Sequence, residues 1–203
     1  VALANFLVGV ILAFVGALQL EQFGTEIYVA NLVGIATARE MAAIITAIVM
    51  AGRTGAAYAS EIAAMQGNEE IDALRTLGVS PYEYLVLPRV VTLSAVMPFL
   101  YVYACAVGIV GGLAIAVGML DMTATAYIEQ TRGAIAGKHF VIGALKSVCF
   151  GALIGIVGCH IGLRAGRSAS DVGRSATSTV VVSIVGIIVI DAVFAVCADV
   201  LGY

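Results

Sequence analysis

Residues 61–89 read EIAAMQGNEEIDALRTLGVSPYEYLVLPR, a polar island in an otherwise apolar chain. The island holds Glu61, Glu69, Glu70, Asp72, Arg75, Glu83 and Arg89, whereas residues 90–120 that follow contain no charged side chain. A polar segment this short, set between runs long enough to cross a bilayer, cannot enclose a core of its own. It is expected to be a membrane-surface element, where a multi-pass protein meets something outside the lipid.

Beyond the island, the 203 residues are 62% hydrophobic and 11% charged, with a mean hydropathy of +1.08. Soluble domains carry about a quarter charged residues. A hydrocarbon core roughly 30 Å thick needs about 20 apolar residues at 1.5 Å each. Runs at 1–18, about 27–51, 90–119, 140–163 and 177–200 meet that length. The expected fold is therefore an all-α integral membrane protein of one domain, residues 1–203, with five transmembrane helices. The runs are continuous and lack the ten-residue alternation of barrel strands. Because the chain opens on Val1 rather than methionine, a segment upstream is expected to be missing. Residues 1–18, without a basic start or a small-residue cleavage site, do not read as a signal peptide.

Orientation follows the bias of arginine and lysine toward cytoplasmic loops. One side would hold Arg53, Arg75, Arg89, Arg164, Arg167 and Arg174. The other has Arg39, Arg132 and Lys138, diluted by Glu21, Glu26, Asp121 and Glu129. With five spans, this places the N-terminus in the cytoplasm and the C-terminus outside.

Inside the island, Asn68 reads as an N-cap with Glu69 and Glu70 in the first helical turn, where the helix dipole favours anions. Ile71, Leu74 and Leu77 recur every three residues, Arg75 sits near the C-terminal end, and Gly78 suits the left-handed position after it. Ser80-Pro81-Tyr82-Glu83 then has the form of a capping box, and Pro88 and Pro98 are expected to kink the next span. Gly151, Gly155, Gly158 and Gly162 form two small-xxx-small pairs, read either as packing within one subunit or as a dimer seam.

Charges at bilayer depth are costly and mark functional candidates. Arg39 and Glu40 interrupt the second apolar run, and Lys146 stands inside the fourth. Either these groups reach the headgroup region or they line a substrate cavity, the cations holding an anionic headgroup and the carboxylate balancing them. Asp191 and Asp199 are explained by proximity to the outer interface. Several chemistries find no support in the chain. Lys146 and Ser147 are adjacent and diverge by about 100° on a helix, so they form no serine–lysine dyad. His139 and His160 are too far apart to share a metal, and no H-E-x-x-H, nucleophile elbow or phosphate-binding loop occurs. Cys105, Cys149, Cys159 and Cys197 lie in apolar runs without C-x-x-C spacing and read as packing residues. A net charge of −3 argues against nucleic acid as a partner.

Asp72-Ala73-Leu74-x-x-x-Gly78, followed by Leu85-x-Leu87-Pro88, resembles the E-A-A-x-x-x-G…I-x-L-P loop of ABC importer permeases, although with a shorter spacer. A wider set of segments is similar to the MlaE (YrbE-type) permeases: Ala38-Arg39-Glu40, residues 50–57, residues 59–62, Met65, and residues 68–74 through Pro88-Arg89. The resemblance continues through Gly111-Gly112, Lys146-Ser147-Val148 and Gly173-Arg174-Ala176-Thr177 segments. Members of that family carry an interfacial helix, in some a STAS-like domain, before the first span, and neither is found in these residues.

The resemblance implies a permease of the bacterial inner membrane, a homodimer with five spans per subunit, its C-terminus periplasmic. It implies a separate cytoplasmic ATPase that binds the ATP and magnesium, a periplasmic ring of MCE-domain proteins, a STAS-domain protein among the partners, and phospholipid as substrate. The chain itself would be non-catalytic, with no cofactor or metal. Arg39, Glu40 and Lys146 would contact the lipid. Glu69, Glu70, Ile71, Asp72, Leu74, Arg75, Leu77 and Gly78 would form the coupling helix, its apolar side chains filling a groove on the ATPase. The rival reading is a secondary transporter or channel that uses the Arg39, Glu40 and Lys146 charges for ion or proton coupling.

Overall fold

A computed structural model describes residues 1–22, 28–120 and 122–200, without the side chains of Glu21 and Asp199. Glu26, Ile27 and Asp121, assigned above to a loop or a span end, lie outside the described residues, as do the Glu21 and Asp199 side chains. The described residues are almost entirely helical and contain no strand. In chain order the helices are α1 (Ala2–Glu21), α2 (Val29–Gly67), α3 (Glu70–Thr76), α4 (Tyr82–Met119), α5 (Ala124–Ala134), α6 (Gly137–Leu163) and α7 (Ala169–Val200). Five of them (α1, α2, α4, α6 and α7) are long and apolar enough to cross a membrane.

The number of spans agrees with the apolar runs, but their ends do not. Helix α2 continues past Ala51 through Arg53 and Glu61 to Gly67, because its backbone hydrogen bonds close regardless of side-chain polarity. At 1.5 Å per residue its 39 residues reach roughly 58 Å, about twice the hydrocarbon thickness. The first quarter of the polar island is thus helix carried beyond the bilayer, not loop. Helix α4 starts at Tyr82 rather than residue 90, α6 at Gly137 rather than 140, and α7 at Ala169 rather than 177. Helix α5 was not foreseen from the apolar pattern. Thr123 caps it, its hydroxyl accepting from the Ala126 amide at 3.3 Å.

The chain forms two compact units, residues 1–46 with 98–146 and residues 47–97 with 147–203. In the first, α1 and α4 meet backbone to backbone: a side chain on Gly9 would strike the Gly108 carbonyl, and one on Gly111 the Phe6 carbonyl. Tyr127 of α5 is buried there and donates to the Ile109 carbonyl at 3.3 Å. Burial pushes its phenol up to about 12, opposed by the Thr131 hydroxyl.

In the second unit, Gly151 and Gly155 of α6 abut Leu93, Ser94 and Val90 of α4, while Gly158 and Gly162 abut Gly55, Ala59 and Ile62 of α2. Each small-xxx-small pair therefore seats a different helix of the same chain, which is the intramolecular reading of that motif. Cys105 and Cys159 are buried, Cys149 is half-buried and Cys197 exposed, and all four are free thiols.

Three local expectations need correction. The residue before α3 is Glu69, not Asn68, and it takes the left-handed conformation (φ 61°) without a side-chain cap. Asn68 instead donates to the Glu70 carboxylate at 3.2 Å. No side-chain cap hydrogen bond forms where α4 begins; Ser80 supplies only its carbonyl, to the Tyr84 amide at 3.1 Å. A π-turn over Tyr82–Val86 precedes Pro88 there, a wider turn that relieves the proline ring against the preceding carbonyls. Finally, Ile71 does not point outward. It is fully buried with Ile62, Leu85 and Cys159, Leu74 packs partly against that cluster, and only Leu77 is exposed, at 76%.

The end of α3 follows its sequence signal. Gly78 has φ +76°, its amide donates to the Arg75 carbonyl at 3.0 Å, and the Val79 amide donates to Leu74 at 3.0 Å. This is a Schellman motif, in which glycine avoids the Cβ clash of the left-handed region.

Candidate functional site

Helix α2 is interrupted by a π-turn at Thr37–Met41, where the Ala42 amide reaches back five residues to the Thr37 carbonyl. Such a turn carries an extra residue, alters the face that follows, and frees the carbonyls it skips. One of these, on Ala38, accepts the Tyr101 hydroxyl at 2.5 Å. Gly143 makes that bond possible, since a Cβ there would collide with the Tyr101 hydroxyl and the Ala38 carbonyl. The turn presents Arg39 and Glu40 together.

Lys146, one turn beyond Gly143 on α6, donates its ammonium to Glu40 Oε2. Arg39 Nε lies 3.5 Å from Glu40 Oε1. The structure thus brings all three sequence candidates into one cluster within a single unit. Lys146 is 0% exposed, which rules out snorkelling for that residue. Arg39 and Glu40 remain about a quarter exposed, with side chains at 26% and 25%. The cluster joins two cations to one carboxylate, in surroundings where removing any one member leaves the others poorly compensated. Exposure falls to Arg39 and Glu40; Lys146 fixes the carboxylate from within.

Of this neighbourhood, Tyr101 escaped the sequence reading and His139 was weighed there only as a metal ligand. Tyr101 carried no signal at all. His139 did, because it precedes Lys146 by seven residues and so shares its helix face. It is nearly buried, and among the described residues its Nδ1 has no hydrogen-bond partner.

The second candidate set lies on α3. Arg167, in the turn between α6 and α7, bridges Glu69 at 3.0 Å and Asp72 at 2.9 Å. Asp72 also pairs with Arg75 at 3.0 Å. Glu70, Arg75 and Leu77 are exposed on the outer face, while Ile71 is committed inward. Below α3, Arg89 pairs with Glu61 at 3.1 Å and stands over the Tyr58 ring at 5.4 Å, joining α4 to the protruding end of α2. Among the described residues no group of three or more His, Cys, Asp or Glu side chains could hold a metal.

A small, mostly internal cluster of charges in the spans, with an anchored amphipathic helix outside them, suits a transporter subunit better than an enzyme. Comparison with known proteins agrees. Residues 1–197 match the family described as Permease MlaE. A protein of Rickettsia conorii named "Probable ABC transporter permease protein" is 36% identical over 189 residues, which are 93% of this chain and 73% of that one. A Synechocystis protein named likewise is 32% identical over 182 residues, 90% of this chain and 69% of that one. The chloroplastic protein Trigalactosyldiacylglycerol 1 of Arabidopsis thaliana is 33% identical over 173 residues, 85% of this chain and 49% of that longer one. Matched along nearly its whole length, this multi-pass membrane protein belongs to the MlaE family of permeases.

Proposed function

We infer that the chain is the non-catalytic, membrane-embedded subunit of an ABC transporter that moves phospholipid or a related lipid between the inner membrane and the outer envelope. Several relatives are named as ABC transporter permeases, which supports a separate ATPase as the source of energy. The Arabidopsis relative bears the name of a glycolipid, which supports a lipid substrate. The observation that carries the reading is the cluster that Arg39 and Glu40, on the π-turn of α2, form with Lys146 of α6. The part-exposed Arg39 guanidinium suits a phosphate held by charge-assisted hydrogen bonds, with Lys146 drawing on the Glu40 carboxylate that Arg39 also meets.

Helix α3 is the element suited to couple with the ATPase, through Leu77 and the polar rim of Glu70 and Arg75. Two copies of the chain would assemble with two ATPase subunits, an MCE-domain ring on the periplasmic side and a STAS-domain protein. Of the five spans, α7 is the least covered by its own chain, with 11% of its window buried, so it offers the broadest apolar face to lipid or to the second copy.

The test is purification from the native host in mild detergent, followed by mass spectrometry of proteins and lipids. Co-purification of an ATPase and enrichment of phospholipid, reduced in an Arg39→Gln variant, is the expected result. A chain that purifies without an ATPase, and with the same lipids after that substitution, would contradict the reading.

A further inference from the structure

A cavity of about 390 Å³ opens beside the turn that joins α6 to α7, lined by His160, Arg164, Asp171, Arg174, Ser175 and Ser178 among others. It shares no residue with the Arg39 cluster or with α3. Its volume lies within the roughly 300–1,000 Å³ of small-ligand pockets. Because the α6 span ends at Leu163 and the α7 span begins at Ala169, its lining runs from the last turn of α6 through the connecting turn into the first three turns of α7, starting at the depth of lipid headgroups.

The charges in the stretch 164–174 are used unequally. Arg167 is engaged by Glu69 and Asp72. Arg164 and Arg174 face the cavity, and among the described residues neither makes an ion pair. The carboxylate in the lining, Asp171, is held chiefly by Ser168: it accepts from the Ser168 hydroxyl at 2.6 Å and the Ser168 amide at 3.2 Å, and feels the Arg174 charge only as a smaller influence. It also lies against Gly166, where a Cβ would stand 2.7 Å from its carboxyl carbon. Two guanidinium groups against one occupied carboxylate leave the cavity positive even with His160 neutral. Guanidinium forks match phosphate oxygens bidentately, and the N-terminal turn of α7 adds a dipole of the same sign.

We propose that this cavity binds a phosphate group at the membrane surface, clamped by Arg164 and Arg174, with Ser178 as a hydroxyl donor. A phospholipid headgroup and free phosphate share that chemistry. The site shares no residue with the Arg39 cluster, and the proposal does not depend on which cargo the permease moves.

Full-length protein is placed in nanodiscs of phosphatidylcholine with a minority of phosphatidylglycerol, and retained lipid is counted by native mass spectrometry. In a second arm, inorganic phosphate is titrated against detergent-solubilised protein and the melting temperature is followed. Retention of phosphatidylglycerol is expected to fall roughly fivefold for R164Q or R174Q and on the order of twenty-fold for the double variant, the contribution of basic residues near an anionic surface. R164K/R174K keeps the charge but not the bidentate fork and is expected to fall between wild type and R164Q/R174Q, and R167Q, whose side chain is engaged on α3, leaves retention unchanged. A phosphate-induced rise in melting temperature that the double variant loses, without lipid preference, supports the site and identifies free phosphate as the occupant. Equal behaviour of wild type and R164Q/R174Q in both arms, or an equal loss in R167Q, overturns the proposal. Should the double variant fail to fold, the single variants carry the comparison, and no loss in either overturns it.

Discussion

At the scale of single residues, the decisive contact is the one Lys146 makes with Glu40 across 106 positions of sequence. Each charge was legible as an interruption in an apolar run, but nothing in the order of residues pairs them. The π-turn that aligns Arg39 with Glu40 has no composition of its own. Removing one member of a buried ion pair costs about 3–5 kcal/mol, because the remaining charge loses its compensation. Lys146→Met is therefore expected to lower the unfolding free energy by about that amount in detergent, and Glu40→Gln together with Lys146→Met to recover most of it. Additive losses in that cycle would mean that the pair is not coupled. A second residue-scale test uses glycine. Gly143→Ala forces a methyl against Tyr101 and the Ala38 carbonyl, and overpacking of this kind costs about 1–3 kcal/mol. Gly52→Ala, where a Cβ meets nothing, is expected to leave the melting temperature unchanged or raised.

At the scale of elements, helix α3 shows which part of a sequence pattern is informative. Its existence and its end followed from Gly78 and the Ile71, Leu74 and Leu77 spacing, because glycine at a left-handed C′ position is a local requirement. Its inward face could not be read off. A stripe of apolar residues says that something covers them, and here much of the cover is Ile62, Leu85 and Cys159 of the same chain. Two substitutions separate the faces. Ile71→Ala opens a cavity and is expected to destabilise by about 2–5 kcal/mol. Leu77→Asp, on a 76% exposed side chain, is expected to leave the melting temperature unchanged while abolishing stimulation of the ATPase. Normal stimulation in Leu77→Asp would remove α3 from the coupling contact. The helix ends of α2 and α4 were misjudged for a related reason: Glu61 and Arg89 pair with each other, so polar side chains there do not stop the helices.

At the scale of the whole molecule, five spans were evident from hydropathy, whereas the division into two compact units was not, since each unit draws on segments far apart in sequence. The bridge from Arg167 to Glu69 and Asp72 puts the α2–α3 junction and the α6–α7 turn on one side of the membrane. Lys138, at the opposite end of the 27-residue α6, is expected on the other. With the native cysteines replaced by serine, single cysteines at Gly67 and Lys138 are expected to label from opposite faces, Gly67 from the cytoplasm as the arginine distribution requires. Labelling of both from one face would dismantle the five-span arrangement. The most direct test of an ATP-driven lipid permease is transfer of a fluorescent phospholipid from proteoliposomes holding the purified transporter. Transfer that requires ATP hydrolysis, persists when proton and sodium gradients are dissipated, and falls at least tenfold (~1.4 kcal/mol) in Arg39→Gln is the expected result. Transfer that proceeds without ATP and collapses with an ion gradient would contradict it and favour ion coupling through Arg39, Glu40 and Lys146.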